Sequence, residues 1–99
     1  MSVLLAIGAT DSSGGAGLSA DLETFNSLGD DCLLCVTGVT AQSNSSYIDT
    51  HAVPSSMIDA QLRSIGDQKI DAVKIGMLPN TEIIQIVSDF ISQISCKNV

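Results

Sequence analysis

Tryptophan is absent and aromatic residues make up only 3% of the chain. Any core must therefore be built from Ile, Leu, Val and Ala. Cations are scarce too: Arg63, Lys69, Lys74 and Lys97 are the four basic residues, and the formal net charge is -7. A nucleic-acid or anionic-membrane partner needs a cationic face, so neither is expected. The same shortage means that a phosphorylated ligand must be held by backbone N–H groups, by helix N-termini or by a metal ion. There is one histidine, His51, with no carboxylate or nucleophile placed beside it, so no Ser-His-Asp or Cys-His constellation can be argued. Three cysteines give no disulfide framework. Cys32 and Cys35 stand three apart in an apolar run, and positions three apart in a strand point to opposite faces. With no second Cys or His pair to complete a zinc site, they read as small buried residues. No apolar run reaches transmembrane length, and the opening MSVLLAIGATD lacks the basic n-region of a signal peptide. The cytosol is the expected compartment.

What is present is an alternation. Val3 to Ile7 is apolar and is broken by Gly8, as in a strand buried on both faces. A Ser- and Gly-rich loop follows. Leu18, Leu22 and Phe25 then fall at helical spacing, and Gly29 suits the left-handed residue after a helix. Leu33 to Val39 reads as a second buried strand. Thr40 to Val53 is a long polar connection with room for a short edge strand near Tyr47 to Ala52. Pro54 precedes a second helix, for which Ser56 and Asp59 have capping-box spacing and Ile58, Leu62 and Ile65 form the apolar face. Ile70 to Met77 predicts a third strand. Asn80 or Thr81 can cap a third helix, with Ile83, Val87, Phe90 and Ile94 as its stripe. The order β-α-β-(β)-α-β-α argues for an α/β fold on a parallel sheet with flanking helices, in which 99 residues make one incomplete domain with an open edge.

Several residues could carry chemistry. Asp11-Ser12-Ser13-Gly14-Gly15-Ala16-Gly17 lies between a strand and a helix, where open α/β sheets bind ligands. It lacks the Gly-Lys-Ser/Thr of a P-loop, and its spacing misses the dinucleotide fingerprint. A tight strand-to-helix turn and a ligand loop both fit it. Asp21 sits beside the apolar stripe of the first helix, either as a solvated acid or as a contact to the loop or a ligand. Gln42 follows the second strand. Its amide has a donor and an acceptor able to read a heterocycle edge, although an ordinary polar loop also fits. Lys74 can neutralise a carboxylate or meet a phosphate. Met77 can line a pocket wall or simply fill the core.

Taken together, A-I-G-A-T-D-S-S-G-G-A-G, A-D-L, V-T-G-V-T-A-Q, V-P, A-Q-L and D-A-V-K-I-G-M-L closely resemble the hydroxymethylpyrimidine phosphate kinase family, from Leu4 to Val99. The two sharpest motifs are Asp11 to Gly17 with Ala20-Asp21-Leu22, and Lys74 to Leu78. The resemblance implies a ribokinase-like fold of which residues 1–99 are the N-terminal portion, ending at a strand entrance. It implies ATP-dependent phosphorylation of hydroxymethylpyrimidine and its monophosphate with Mg²⁺, in a homo-oligomeric full-length enzyme.

The substrate-binding residues it implies are Gln42 on the aminopyrimidine, Met77 in the pocket, Asp21 by the hydroxymethyl end, and Ala9, Ala16 and Gly17 as close backbone. Ala9 stands where the family usually has Gly, and Ser43 to Tyr47 departs from its lid segment. No catalytic residue is expected before Val99, so the 99 residues alone are expected to be inactive, and to be molten or oligomeric. A pyridoxal or pyridoxine kinase of the same superfamily, and a non-catalytic fragment, are the alternatives.

Overall fold

A computed structural model describes residues 2–43, 45–94, 96 and 98–99. The chain runs β1 (Val3–Asp11), α1 (Gly17–Ser27), β2 (Asp31–Gln42), β3 (Tyr47–Ala52), α2 (Ser55–Ile65), β4 (Ala72–Ile75) and α3 (Thr81–Gln93). The strands form one sheet in the order β3-β2-β1-β4. β1 is central and pairs in parallel with both β2 and β4, as the alternation of strands and helices predicts. The edge strand expected near Tyr47 to Ala52 is β3, and it runs antiparallel to β2.

The two faces of β1 are used differently. Leu5 and Ile7 join Cys35, Ile58, Leu62, Ile65, Val73, Ile83 and Val87 in the buried cluster under α2 and α3. Side chains alternate along a strand, so Ala6 and Gly8 face the other way. There Leu18 of α1 closes over Gly8. The stripe expected on α1 is covered only at this first residue: Leu18 is buried, whereas Leu22 and Phe25 are half-buried and Leu28 is 70% exposed. On α2, Ile58, Leu62 and Ile65 are all buried as their spacing requires. On α3, Ile83 and Val87 are buried and Phe90 and Ile94 are half-buried.

Other expectations are corrected. The strand expected over Ile70–Met77 is shorter, because regular pairing stops at Ile75. Gly76 N–H still donates to Ile7 O at 2.7 Å, and the following residues then bend across the end of β1. β2 is longer than Leu33–Val39 and carries Gln42 as its last residue, so Gln42 is a strand residue and not a loop residue. Nor is β2 buried on both faces: Leu34 and Val39 are exposed. The Ser56–Asp59 capping box does not form. Pro54 is the N-cap of α2, and Met57 N–H and Ile58 N–H turn onto its carbonyl. Asn80 does cap α3, its side chain accepting from Ile83 N–H at 2.9 Å. The Asn44 and Lys97 positions, which belong to the lid departure and the terminal turn read from sequence, lie outside the described residues.

Two devices manage polar backbone. β2 carries one extra residue opposite β1: Gly8 pairs with Val36, and Ala9 pairs with Gly38. This is a bulge at Thr37. Beside it, Gln61 of α2 accepts from Val36 N–H and donates to Val36 O, both at 2.8 Å, so one side chain stands in for the missing strand rung. At the end of β1, the buried Asp11 carboxylate accepts from Ser13 Oγ (2.8 Å) and Ser13 N–H (2.9 Å), an Asx-type turn that shapes the Gly-rich loop. These bonds, the hydroxyl first, hold its carboxyl below the ordinary carboxylate range.

Ile58 is wholly buried, so Ile58→Ala is expected to lower the unfolding free energy by about 2–5 kcal/mol in a urea titration. For Asp11 the folded-state pKa is depressed, so its stabilisation is present above the unfolded value and disappears as pH falls through the folded one. Thermal melts below about pH 4, the unfolded carboxylate range, should therefore show a smaller acid-induced drop in Asp11→Asn than in the unsubstituted chain.

Candidate functional site

The carboxyl ends of β1, β2 and β4 and the N-terminus of α1 surround a cleft of about 200 Å³. Its walls are Gly8 to Asp11 from β1, Ala16, Gly17 and Asp21 from the start of α1, Thr40 and Gln42 from β2, and Lys74, Gly76 and Met77 from β4 and its continuation. This is where open α/β sheets bind ligands, because strands diverge there and helix N-termini point inward. All six residues singled out for binding (Ala9, Ala16, Gly17, Asp21, Gln42 and Met77) line this one cleft. A larger hollow between α2 and α3, lined by Leu62, Arg63, Phe90 and Ile94, brings none of them together.

Close backbone contact builds the floor. Gly17 has φ +66°, and a Cβ there would stand 2.5 Å from Ala9 O. Only glycine allows α1 to start this near β1. Ala9 is buried, and its methyl packs toward Gly38 on the neighbouring strand, 3.8 Å from where a Cβ at that glycine would stand.

The charges in the cleft are paired. Lys74 Nζ lies 3.0 Å from both carboxylate oxygens of Asp21, linking β4 to α1. The Asp21 side chain is 15% exposed and that of Lys74 45%. Asp21 is thus neither a freely solvated acid nor a cap on the loop, but one half of an ion pair on the cleft wall. Lys74 meets a carboxylate, one of the two roles open to it in the sequence.

The remaining walls are held by hydroxyls that the sequence alone did not single out. Thr37 Oγ1, at the bulge, donates to Met77 O at 2.7 Å. This ties the segment after β4 to β2, while the Met77 side chain remains 43% exposed and is not core filler. Ser12 Oγ donates to Gln42 O (2.7 Å) and accepts from Gln42 N–H (2.8 Å), joining the Gly-rich loop to the end of β2. Thr40 Oγ1 donates to Thr10 O at 2.6 Å and accepts from Gln42 Nε2 at 2.9 Å. Ser and Thr in a polar stretch are too common for sequence to mark these, and the only signal was their adjacency to Asp11 and Gln42.

Residues set aside earlier stay aside. Cys35 is buried, and burial pushes its thiol up to about 11. Cys32 is half-buried, and desolvation raises its thiol as well. His51 is exposed on β3. Among the described residues no three His, Cys, Asp or Glu side chains converge as a metal site. Both carboxylates that line the cleft are already engaged, Asp21 by Lys74 and Asp11 by Ser13. No helix among the described residues is long and apolar enough to cross a membrane.

The chain is 44% identical over 90 residues to a hydroxymethylpyrimidine/phosphomethylpyrimidine kinase of Haemophilus influenzae, covering 90% of this chain and 34% of that protein. The crystal structure of a phosphomethylpyrimidine kinase from Clostridium difficile superposes with a TM-score of 0.91 at 33% identity, over 98% of this chain and 42% of that one. An ADP complex of Bacillus subtilis pyridoxal kinase gives 0.90 at 37% identity, over 100% of this chain and 38% of that one. The fold is thus that of the ribokinase-like kinases, and the chain spans about a third of the length of the curated bacterial kinases it matches and less than a fifth of the plant bifunctional enzymes. The family model described as phosphomethylpyrimidine kinase matches residues 11–99, which, with the shared α/β architecture, means that this chain belongs to the phosphomethylpyrimidine kinase family.

Proposed function

We propose that this chain is the pyrimidine-binding part of an ATP-dependent kinase that phosphorylates hydroxymethylpyrimidine and then its monophosphate. The observation that carries the reading is the convergence of Ala9, Ala16, Gly17, Asp21, Gln42 and Met77 on one cleft at the carboxyl ends of the central strands. Residues from four separate segments of the chain meet there. The cleft suits a small flat ring: Met77 offers an apolar wall, Gln42 an amide edge, and the tight Ala9–Gly17 backbone a floor. In this reading Asp21 stands by the hydroxymethyl group, oriented by Lys74.

Phosphoryl transfer depends on positioning and on charge stabilisation. The chain's residues supply the positioning of the acceptor. Nucleotide binding is assigned to the rest of a ribokinase-like domain, of which residues 1–99 form the N-terminal portion. The ADP complex of the related Bacillus subtilis pyridoxal kinase supports ATP as the phosphoryl donor. A homo-oligomeric full-length enzyme belongs to the same proposal.

Pyridoxal as the acceptor is the second reading. It is favoured by the TM-score of 0.90 to that pyridoxal kinase, nearly the same as to the phosphomethylpyrimidine kinase. A competition assay between pyridoxal and hydroxymethylpyrimidine separates the two. Preferential phosphorylation of pyridoxal would remove the pyrimidine reading.

Two substitutions report on the site itself. Gln42→Leu removes the amide without emptying the cleft, and is expected to weaken pyrimidine binding by roughly tenfold, the worth of about one to two hydrogen bonds. Asp21→Asn keeps the shape and removes the charge. It is expected to cost on the order of tenfold to a hundredfold in kcat/KM, since bonds to charged groups are the stronger ones. Unchanged calorimetric affinity in the first and unchanged kinetics in the second would separate these residues from the substrate.

A further inference from the structure

Gln42 can read a ring edge in two opposite senses, because its amide ends in an acceptor on one side and a donor on the other. The surrounding hydrogen bonds decide between them. Thr40 is 3% exposed, so water does not complete its hydrogen bonding. Its hydroxyl has one proton, and Thr10 O, 2.6 Å away, is a carbonyl that can only accept. That proton is therefore committed to β1. Toward Gln42 the Thr40 oxygen shows only lone pairs, and these can be met only by an N–H. The amide accordingly sits with Nε2 on Thr40 at 2.9 Å. The reversed amide would press Oε1 against an oxygen with no proton to share, in a site where an unsatisfied polar group is costly.

The backbone of Gln42 has no freedom to compensate, since Ser12 Oγ holds both its N–H and its C=O. Thr40 and Gln42 lie two apart on β2, hence on the same face of the strand, so this arrangement is set by the sheet and not by a loop.

We infer that Thr40 is a positioning residue that fixes the polarity of Gln42, so that Oε1 faces the cleft as an acceptor and selects a ring bearing an exocyclic amine over the same ring bearing an oxygen there. The second Nε2 proton, on the side of Oε1, is free to donate to the adjacent ring nitrogen, whose lone pair accompanies the amine. Replacing the amine by oxygen turns the donor into an acceptor and the ring nitrogen into an N–H, opposing the amide at both points. This inference rests on the reading of the cleft as a pyrimidine site.

The test uses the full-length protein and two probes, hydroxymethylpyrimidine with its exocyclic amine and the analogue with oxygen in its place, with Kd and KM measured for each. The unsubstituted protein is expected to favour the amine by on the order of tenfold to a hundredfold. Thr40→Val keeps the volume and removes the hydroxyl, which frees the amide to turn. The preference is expected to fall to within about threefold, and Thr40→Ser to restore it. Gln42→Glu, on the half-buried residue itself, tests the two-point reading without touching Thr40: it puts an acceptor at both points, so each ring gains one bond and meets one opposed pair, and the preference is expected to fall toward parity.

A Thr40→Val protein with undiminished preference, a Gln42→Glu protein with undiminished preference, or an unsubstituted protein that favours the oxygen ring, would each overturn the assignment while leaving pyrimidine binding in place. An unsubstituted protein that binds neither ring would overturn the pyrimidine reading itself, and the inference with it.

Discussion

The cleft depends on the parallel pairing of β1 with a strand on each side. Among the described residues β1 is the only strand bonded to two parallel neighbours, β2 and β4. Every wall of the site is referred to it. Gly17 starts α1 against Ala9 O, Thr40 donates to Thr10 O, and Gly76 N–H returns to Ile7 O. On β1 the partners are backbone carbonyls, so the sheet holds them in place whatever the side chains of β1 do. The site is thus a set of short polar links at the end of a rigid strand, with the apolar cluster of Leu5, Ile7, Ile58 and Ile83 a few residues behind it. Burial there fixes where β1 ends, and the end of β1 fixes where a ligand can lie.

The electrostatics follow the same economy. With a net charge of -7 and four basic residues in the whole chain, one lysine is spent on Asp21. The other polar groups at the cleft are neutral hydroxyls, amides and backbone, apart from Asp11, whose carboxylate is turned onto the loop by Ser13. Such a surface recognises shape and hydrogen-bond pattern more than charge. That suits a neutral heterocycle, and it leaves the anionic phosphates of a nucleotide to other parts of the domain.

Much of this was legible in the sequence. The helical faces of α2 and α3 could be read from Ile58, Leu62, Ile65, Ile83 and Val87, because burial on one side of a helix leaves a 3.6-residue record. The edge strand at Tyr47–Ala52 was visible as a break in a polar stretch. Gln42, Asp21 and Met77 came from motif resemblance and share one cleft in the structure. What could not be read was register. Whether Thr40 bonds Thr10, or Ser12 bonds Gln42, depends on how residues 30 positions apart are aligned. The local sequence of either partner is silent on that. The capping box at Ser56 failed for a related reason: spacing alone cannot show that Pro54 already turns the chain into the helix.

The bulge at Thr37 carries a consequence for how such a protein can change. Before it, Cys35 faces the α2–α3 core; after it, Gly38 and Thr40 align with Ala9 and Asp11, and Gln42 follows two residues on. One residue of strand thus decides which of two interleaved sets of side chains looks into the cleft. A register slip that flattened the bulge while keeping every residue would set Thr37 opposite Ala9 and Val39 opposite Asp11, so that Val39 and Ala41 would take the places of Thr40 and Gln42. Deleting Thr37 instead would straighten the ladder and leave Gly38, Thr40 and Gln42 where they are, at the loss of the Thr37 bond to Met77 O. A change of one codon there would spare the recognition face of β2 and release only the wall that follows β4.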